Sequence, residues 1–298
     1  MRDRTPIPSL SLTTAPQCLP LKSGYSKPPK PLPRTRTIAV TSGKGGVGKT
    51  NFVVNVTLAL AARGKSVTIL DADLALANVD VLLGINPAYH IGHVLSGERS
   101  FNEIVIQVAQ GVKLIPGSSG MEELTALSHS QHDQIITDLE ALDMSSNYLF
   151  IDTAAGIASN VMGILCAASE VIVVTMPEPT AIIDSYATIK ALHKHSPAKP
   201  IGIVVNGVIG LSDAEQAFDQ LRATTGRFLN HPIEFLGAIM HDGELVKAVR
   251  EQVPVVEFAP HSPASRSIRL IAEHIDNLPN QADKSEHSFW RSLAKMKY

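Results

Sequence analysis

The chain has 298 residues, a formal net charge of −2 and two cysteines, Cys18 and Cys166, which are too few for a disulfide framework and have no metal-ligand spacing. No apolar run reaches the roughly 20 residues that a membrane span needs, so we expect a protein of the reducing cytosol. The charge is uneven, since residues 1–36 hold seven Lys/Arg and one acid (+6) and the remainder holds 19 basic and 27 acidic residues (−8), and an acidic body argues against nucleic acid as a partner.

Residues 1–35 are predicted to form a basic, proline-rich arm. They contain eight of the nineteen prolines and end in the run 28–33, which is Pro-Pro-Lys-Pro-Leu-Pro. Such a segment buries too little apolar surface to offset the entropy that ordering removes. The composition therefore predicts a flexible or polyproline-type segment. A simple tether and a docking peptide for a proline-recognising partner both stay open.

From residue 36 onward, strand-like apolar runs alternate with helical patterns. Strands separated by helices indicate βαβ units, and therefore an α/β fold with a mainly parallel, doubly wound sheet in a domain that spans 36–278. Ligands of such sheets bind at the carboxyl ends of the strands. The predicted strands are 37–41, 66–71, 112–116, 148–152, 171–176, 201–206 and 234–239, and the predicted helices are 49–63, 129–142, 158–168, 180–194, 213–228, 243–251 and 264–277.

A glycine-rich segment lies between the first predicted strand and the first predicted helix. It matches the phosphate-binding pattern GxxxxGK[ST] in the strand–loop–helix context that the pattern requires. Lys49 is expected at the β- and γ-phosphates and the Thr50 hydroxyl at Mg²⁺. A second lysine, Lys44, lies inside the loop, where most such loops have none. The predicted nucleotide-binding residues of the segment are Gly43, Lys44, Gly45, Gly46, Val47, Gly48, Lys49, Thr50 and Asn51.

Carboxylates lie at the ends of two further predicted strands. Asp71 and Asp73 come at the end of one apolar run and Asp152 at the end of another. A carboxylate in such surroundings is costly unless it meets a cation or a water that it orients. Asp152 has the form of the acid that holds Mg²⁺ opposite the loop threonine. With the lysine-bearing loop, these acids predict a site that binds a nucleotide and magnesium.

The motifs resemble those of the MinD/ParA family of P-loop ATPases, whose deviant Walker A loop has the form KGGxGK[ST], and the resemblance runs from about residue 36 to 275. It implies ATP or ADP and Mg²⁺ as ligands, and a slow ATPase that acts as an ATP-dependent homodimer. In the family the inner lysine, here Lys44, reaches the phosphates of the partner subunit's nucleotide and assists catalysis together with Lys49. The other implied roles are orientation of the attacking water by Asp73, support of Mg²⁺ by Asp71 and Asp152, directly or through water, and recognition of the adenine amino group by Asn206.

Within the family, the chain resembles the subfamily of flagellar-number regulators, FlhG and FleN. This resemblance implies control of flagellum number or placement, with the FlhF GTPase or a flagellar transcription activator as a partner. The sequence departs from the subfamily at Ala75, which replaces a glycine, and at Met240, which replaces a proline near the adenine. The arm also has no Asp-Gln-Ala-x-x-Leu-Arg segment, which stimulates FlhF in many relatives. The likeness rests on residues 71–84, 152–157, 177–180, 184–187, 255–257 and 260–263.

A short amphipathic helix is predicted in the last segment, 279–298, after a polar linker. Its apolar side is formed by Phe289, Trp290, Leu293 and Met296, and basic residues lie opposite. Such a helix either docks on its own domain or lies in a membrane interface. Because dimerisation would pair two weak anchors, we expect it to bind the cytoplasmic membrane, which would make the protein cytoplasmic and peripheral at the inner face of that membrane, with a cell pole as one expected position.

Alternative functions remain open at this point. The chain is expected to be an ATP-switched regulator of flagella, but a MinD-type regulator of the division site and a ParA-type partition ATPase share its motifs. A partition ATPase would need a basic surface for DNA, which the acidic body does not favour. A third hypothesis is a module that sequesters a transcription activator, with ATP setting only its conformation. It overlaps with the hypothesis of an ATP-switched regulator of flagella.

Overall fold

Eight β-strands form one sheet in the part of the chain that the structure, a computed structural model, describes, namely residues 35–73, 78–117, 146–280 and 288–295. Their order across the sheet is β3-β4-β2-β5-β1-β6-β7-β8. The outer pair β3–β4 is antiparallel and the other neighbours are parallel. The strands are β1 (Arg36–Thr41), β2 (Val67–Ala72), β3 (Ile106–Ala109), β4 (Val112–Ile115), β5 (Tyr148–Thr153), β6 (Glu170–Thr175), β7 (Ile201–Val208) and β8 (Glu234–Met240).

Helices connect most of these strands. None of those in the described ranges has the length and apolar composition needed to cross a bilayer. They are α1 (Lys49–Ala62), α2 (Val79–Leu82), α3 (Ile91–Leu95), α4 (Phe101–Ile104), α5 (Ser159–Ala167), α6 (Pro179–His195), α7 (Leu211–Leu229), α8 (Gly243–Arg250), α9 (Val255–Phe258), α10 (Pro263–Asn277) and α11 (Phe289–Lys295).

Both faces of the sheet are covered. On one face, α1 and α10 pack on each other and form a core with the strands. On the other face, α5, α6, α7 and α11 build a second core. The central strands β1, β2 and β5 are therefore buried along their whole length, which explains their nearly continuous apolar sequence.

The parallel arrangement brings the functional segments to one edge of the sheet. The carboxyl ends of β1, β2, β5 and β7 lie on the same side, and one of the motifs found in the sequence lies at or directly after each of these ends. In the register between β2 and β5, Asp71 lies opposite Asp152. Because the register fixes this pair, the candidate site is a direct consequence of strand order.

The seven predicted strands are all present, with ends within two residues of the prediction, and so are the predicted helices other than 129–142. That helix, the arm 1–34 and the linker residues 281–287 lie outside the described residues. The sequence did not predict the edge strand β3 or the short helices α2, α3, α4 and α9. The mainly parallel, doubly wound sheet is confirmed.

Candidate nucleotide-binding site

The loop between β1 and α1 is shaped by glycines with left-handed backbone. Gly46 has φ 78° and Gly48 has φ 92°, a region that residues with a side chain rarely adopt. The Ser42 hydroxyl donates to the Lys44 carbonyl at 2.7 Å and fixes the start of the loop. Helix α1 then begins at Lys49, and no side chain caps its first turn. Its first N–H groups are therefore not occupied by a capping side chain, as a phosphate-binding helix N-terminus requires.

Two loop glycines are also needed for close packing. A Cβ atom on Gly43 would lie 2.1 Å from the backbone carbon of Asp184 in α6. A Cβ atom on Gly48 would lie 2.4 Å from Nδ2 of Asn206 at the end of β7. The loop is therefore held between α6 and β7, and its pattern of glycines reflects this packing as well as phosphate binding.

Lys49, Thr50, Asp71 and Asp152 come together as the sequence predicts. Lys49 is buried, and the Thr50 side chain lies near enough to Asp152 to lower the pKa of its carboxylate. Asp71 accepts hydrogen bonds from the backbone N–H groups of Asp73 and Val79, both at 3.2 Å. One wall of the site is thus a lysine and a threonine, and the other is a pair of carboxylates on adjacent strands.

Burial of the two carboxylates changes their acidity. The pKa of Asp152 is raised to about 7, mainly by desolvation and also by the charge of Asp71, against the lowering effects of the Thr50 hydroxyl and the Lys49 charge. Desolvation is also the main reason that the pKa of Asp71 is raised to about 6, against the lowering effect of its backbone hydrogen bonds. Without a cation, this pair is electrostatically unfavourable when both groups are ionised.

The donor set fits magnesium. Oxygen atoms of carboxylates and hydroxyls are the ligands that Mg²⁺ takes, usually with several waters and nucleotide phosphates. The Oδ1 atom of Asp152 is buried and has no hydrogen-bond partner in the described structure. An unpaired carboxylate oxygen is costly at a site that is 1% exposed, and a hydrated cation would satisfy it. Thr50, Asp71 and Asp152 are thus suited to hold Mg²⁺, which would neutralise phosphate charge there.

Asp73 and Lys44 lie at the rim of this group. Asp73 follows β2 and is half-buried, and its expected role towards the attacking water stays a prediction. The Lys44 side chain is 48% exposed and its ammonium group forms an ion pair with Glu178 at 3.4 Å. Glu178 directly precedes α6. No role was predicted for Glu178, and only the packing of the loop against α6 identifies it as the partner of Lys44.

Asn206 lies beside the loop, as the resemblance implies for a residue near the nucleotide. Its Nδ2 atom donates to the carbonyl oxygen of Val47 at 2.8 Å, a contact that the sequence did not predict. Met240, which replaces the family's proline, is half-buried at the end of β8 and packs against the core. The loop after it is held by Asp242, which accepts hydrogen bonds from backbone N–H groups at the starts of α8 and α10.

The predicted membrane helix is docked on the protein in this structure. Phe289, Trp290 and Leu293 are buried in the core beside α5, and Met296 lies outside the described residues. The apolar face therefore contacts protein, which is the arrangement that the sequence left open as the alternative. Membrane binding by this helix stays a prediction, and it requires that the helix leave its position on α5.

Comparisons with known proteins agree with this geometry. The family model "ParA: NUBPL iron-transfer P-loop NTPase" matches residues 34–276. The chain is 38% identical to the antiactivator FleN of Pseudomonas aeruginosa, over 85% of this chain and 90% of that protein. It is 36% identical to the flagellum site-determining protein YlxH of Helicobacter pylori, over 80% of this chain and 81% of that protein.

A solved structure with the same fold contains the expected ligand. The septum site-determining protein MinD from Pyrococcus horikoshii, complexed with Mg-ADP, matches with a TM-score of 0.67 and 26% identity, over 85% of this chain and 100% of that one. Together with the loop lysines, the strand-end carboxylates and the family match, this likeness leads to one assignment. The chain belongs to the MinD/ParA family of P-loop NTPases, a family of ATPases.

Proposed function

We propose that the protein is an ATP-dependent switch between a single chain and a homodimer, and that it regulates the number or placement of flagella. The observation that carries the switch is the position of Lys44. It lies in the phosphate-binding loop, yet its side chain is half-exposed and paired with a surface carboxylate. An exposed ion pair contributes little free energy, about 0–1 kcal/mol. Lys44 is therefore free to exchange Glu178 for the phosphates of a nucleotide in a second subunit.

The edge that carries the nucleotide site also offers an apolar surface to a second copy. Ile157 follows β5, Ile183 lies in the second turn of α6 and Ile209 follows β7, and all three are more than half exposed. Ile209 is the most exposed, at 84%. Because all three lie near the carboxyl ends of the strands, a dimer that brings Lys44 to the partner's phosphates would also cover apolar surface. We infer that ATP holds the two subunits together and that hydrolysis releases them.

The proposed role in flagella rests on the relatives. The two relatives described above are named an antiactivator and a flagellum site-determining protein. By that likeness, the ATP-bound dimer would bind flagellar proteins, such as the FlhF GTPase or a flagellar transcription activator. Light scattering with ATP and with ADP, followed by partner binding in each state, tests this proposal, which requires partner binding to depend on the nucleotide.

Reversible membrane association is the second part of the proposal. A chain of contacts links the loop to the C-terminal helix: the N–H of Gly156 donates to the Ser42 carbonyl at 2.9 Å, α5 begins three residues later, and α11 packs on α5. A conformational change in the phosphate-binding loop could therefore be transmitted through these contacts to the surface of α5 on which α11 packs. We propose that the ATP-bound dimer releases α11 and that two released helices bind the cytoplasmic membrane together.

In the docked position of α11 the apolar side chains are buried, but one buried polar group lacks a hydrogen bond. Burial of Phe289, Trp290 and Leu293 favours docking by about 1.5–3 kcal/mol for each side chain. The indole N–H of Trp290 is buried and has no hydrogen-bond partner among the described residues, which offsets roughly 1–3 kcal/mol of that gain. In a membrane interface the apolar side chains stay out of water and the indole N–H meets headgroups. The two positions are thus close enough in free energy to be switched.

Trp290 is the one tryptophan of the chain, so intrinsic tryptophan fluorescence reports on this helix alone. With Mg²⁺, ATP and vesicles of anionic lipids with brominated acyl chains, we expect quenching of the Trp290 emission. With ADP we expect little quenching, because the indole stays docked on α5. A chain shortened by residues 286–298 should not sediment with the vesicles under either condition.

The Lys44→Ala variant is the matched control, since it keeps the helix and removes the proposed cause of its release. It should resemble the ADP state even with ATP. Equal quenching with ATP and ADP would argue against nucleotide-controlled release. Vesicle binding that survives the deletion of 286–298 would show that another part of the chain contacts lipid.

A further inference from the structure

One side chain connects the base side of the nucleotide site to the phosphate side. Asn206 lies near the end of β7, and its Nδ2 atom donates to the carbonyl oxygen of Val47 at 2.8 Å. A carbonyl oxygen only accepts, so the NH₂ group of the amide has to face the loop. The Oδ1 atom of Asn206 then faces elsewhere and remains able to accept a hydrogen bond, as an adenine amino group would require.

The backbone conformation of both the loop and β7 permits the contact between Asn206 and Val47. Gly48 has φ 92°, and a Cβ atom on it would lie 2.4 Å from Nδ2 of Asn206. Gly207, directly after Asn206, has φ 75°, and the pairing of β7 with β8 shifts between Asn206 and Val208. Glycines therefore permit the close approach of the loop and the strand end, and the local irregularity of β7 places the amide beside the loop.

The hydrogen bond orients a phosphate-binding group. The peptide bond between Val47 and Gly48 is planar and trans, so its C=O and N–H point in opposite directions. When Asn206 holds the Val47 carbonyl, the N–H of Gly48 is directed away from Asn206. Successive N–H groups of such loops form the concave surface that receives phosphate oxygens. Asn206 thus restricts the rotation of a peptide on which phosphate binding depends.

We propose that Asn206 is a positioning residue of the phosphate loop, in addition to the base contact that the family resemblance implies. One amide would accept from the base and donate to the loop, so that engagement of the base polarises the amide and strengthens its bond to Val47. Base recognition and phosphate binding are then coupled through one side chain. This inference rests on the nucleotide site of the proposed function and adds a residue role to it.

Inorganic tripolyphosphate separates the two roles, because it has the phosphates of ATP and no base. In Asn206→Ala, we expect the affinity for Mg²⁺-tripolyphosphate to fall about three- to tenfold, as for the loss of one hydrogen bond. Calorimetric titration of the full chain measures it. The Asn147→Ala variant is the matched control, since Asn147 lies at the opposite, amino end of the sheet beside Ser66 and its loss should leave the affinity unchanged.

A second variant keeps the test decisive if the alanine variant folds poorly. In Asn206→Asp, a carboxylate still accepts from an adenine amino group but cannot donate to Val47. We expect this variant to lose tripolyphosphate affinity and to keep a preference for ATP over inosine triphosphate, which lacks that amino group. The alanine variant should lose both.

Unchanged tripolyphosphate binding in folded Asn206→Ala would overturn the positioning role while leaving the nucleotide site intact. If the unmodified chain bound neither tripolyphosphate nor ATP, the proposed function itself would fail. The two failures are therefore distinguishable in the same titrations.

Discussion

Replacing Lys44 with alanine is expected to abolish the ATP-dependent dimer while the single chain still binds ATP. The side chain is half-exposed, and its one ion pair among the described residues is with Glu178, so its loss should change the free energy of unfolding by less than about 0.5 kcal/mol. The phosphates keep Lys49 and the loop N–H groups. The variant lacks the positive charge that Lys44 would bring to the nucleotide of a second subunit, where negative charge spreads over the phosphate oxygens in the transition state. We expect hydrolysis to fall by at least about 100-fold.

The measurements are molar mass by light scattering, ATP affinity by titration and steady-state hydrolysis. Lys190→Ala is the matched control, because Lys190 is an exposed lysine on α6 that lies outside the site. It should dimerise and hydrolyse ATP normally. A Lys44→Ala protein that dimerises with ATP and hydrolyses at the normal rate would show that the lysine does not act on a second subunit.

Replacing Asp152 with asparagine is expected to stabilise the magnesium-free chain and to destroy the ATPase. The carboxylate is buried, one of its oxygens has no hydrogen-bond partner among the described residues, and its pKa is raised to about 7, mainly by desolvation. Above that pH the buried carboxylate is ionised, which costs free energy in the folded chain. A neutral amide of similar shape removes this cost. At pH 8 we expect the free energy of unfolding to increase by about 1–3 kcal/mol. Because the amide is a poor ligand for Mg²⁺, hydrolysis should fall at least about 100-fold.

The gain in stability should depend on pH in one direction. A carboxylate whose pKa is raised by folding stabilises the folded chain when it is protonated, and this contribution is lost as the pH rises through the folded pKa of about 7. The advantage of Asp152→Asn should therefore be largest near pH 8 and should shrink as the pH falls towards 5. Thermal unfolding without magnesium at both pH values measures it, with the exposed Asp219→Asn as the control. A gain in unfolding free energy that does not change with pH, or a variant that is destabilised at pH 8, would show that the Asp152 charge is not unfavourable in the folded chain.

The core of the candidate site could be predicted from the sequence because it depends on strand order. Lys49 and Thr50 follow the loop after β1, Asp71 and Asp152 lie at the carboxyl ends of β2 and β5, and parallel strands bring these ends to one edge. The same logic places Asn206 nearby. The edge strand β3 was missed because it has four residues with a partly exposed pattern, and the short helices are too brief to show a helical period.

Contacts between distant side chains were less predictable. The sequence shows that α11 is amphipathic, but its period does not determine whether protein or lipid meets the apolar face, and the structure places Trp290 against protein. The partners of Lys44 and Asn206, which are Glu178 and Val47, depend on how closely α6 and β7 approach the loop. That approach is possible because Gly43 and Gly48 have no side chains. The sequence motif shows these glycines but does not show what packs against them.

We propose that ATP, and not ADP, joins two chains. Light scattering of the Asp73→Ala variant tests it most directly, because loss of the acid expected to orient the attacking water should preserve the ATP state. With Mg²⁺ and ATP we expect twice the mass of one chain, and with Mg²⁺ and ADP the mass of one chain. The same single-chain mass with both nucleotides, in a variant that binds ATP, would show that ATP does not join two chains.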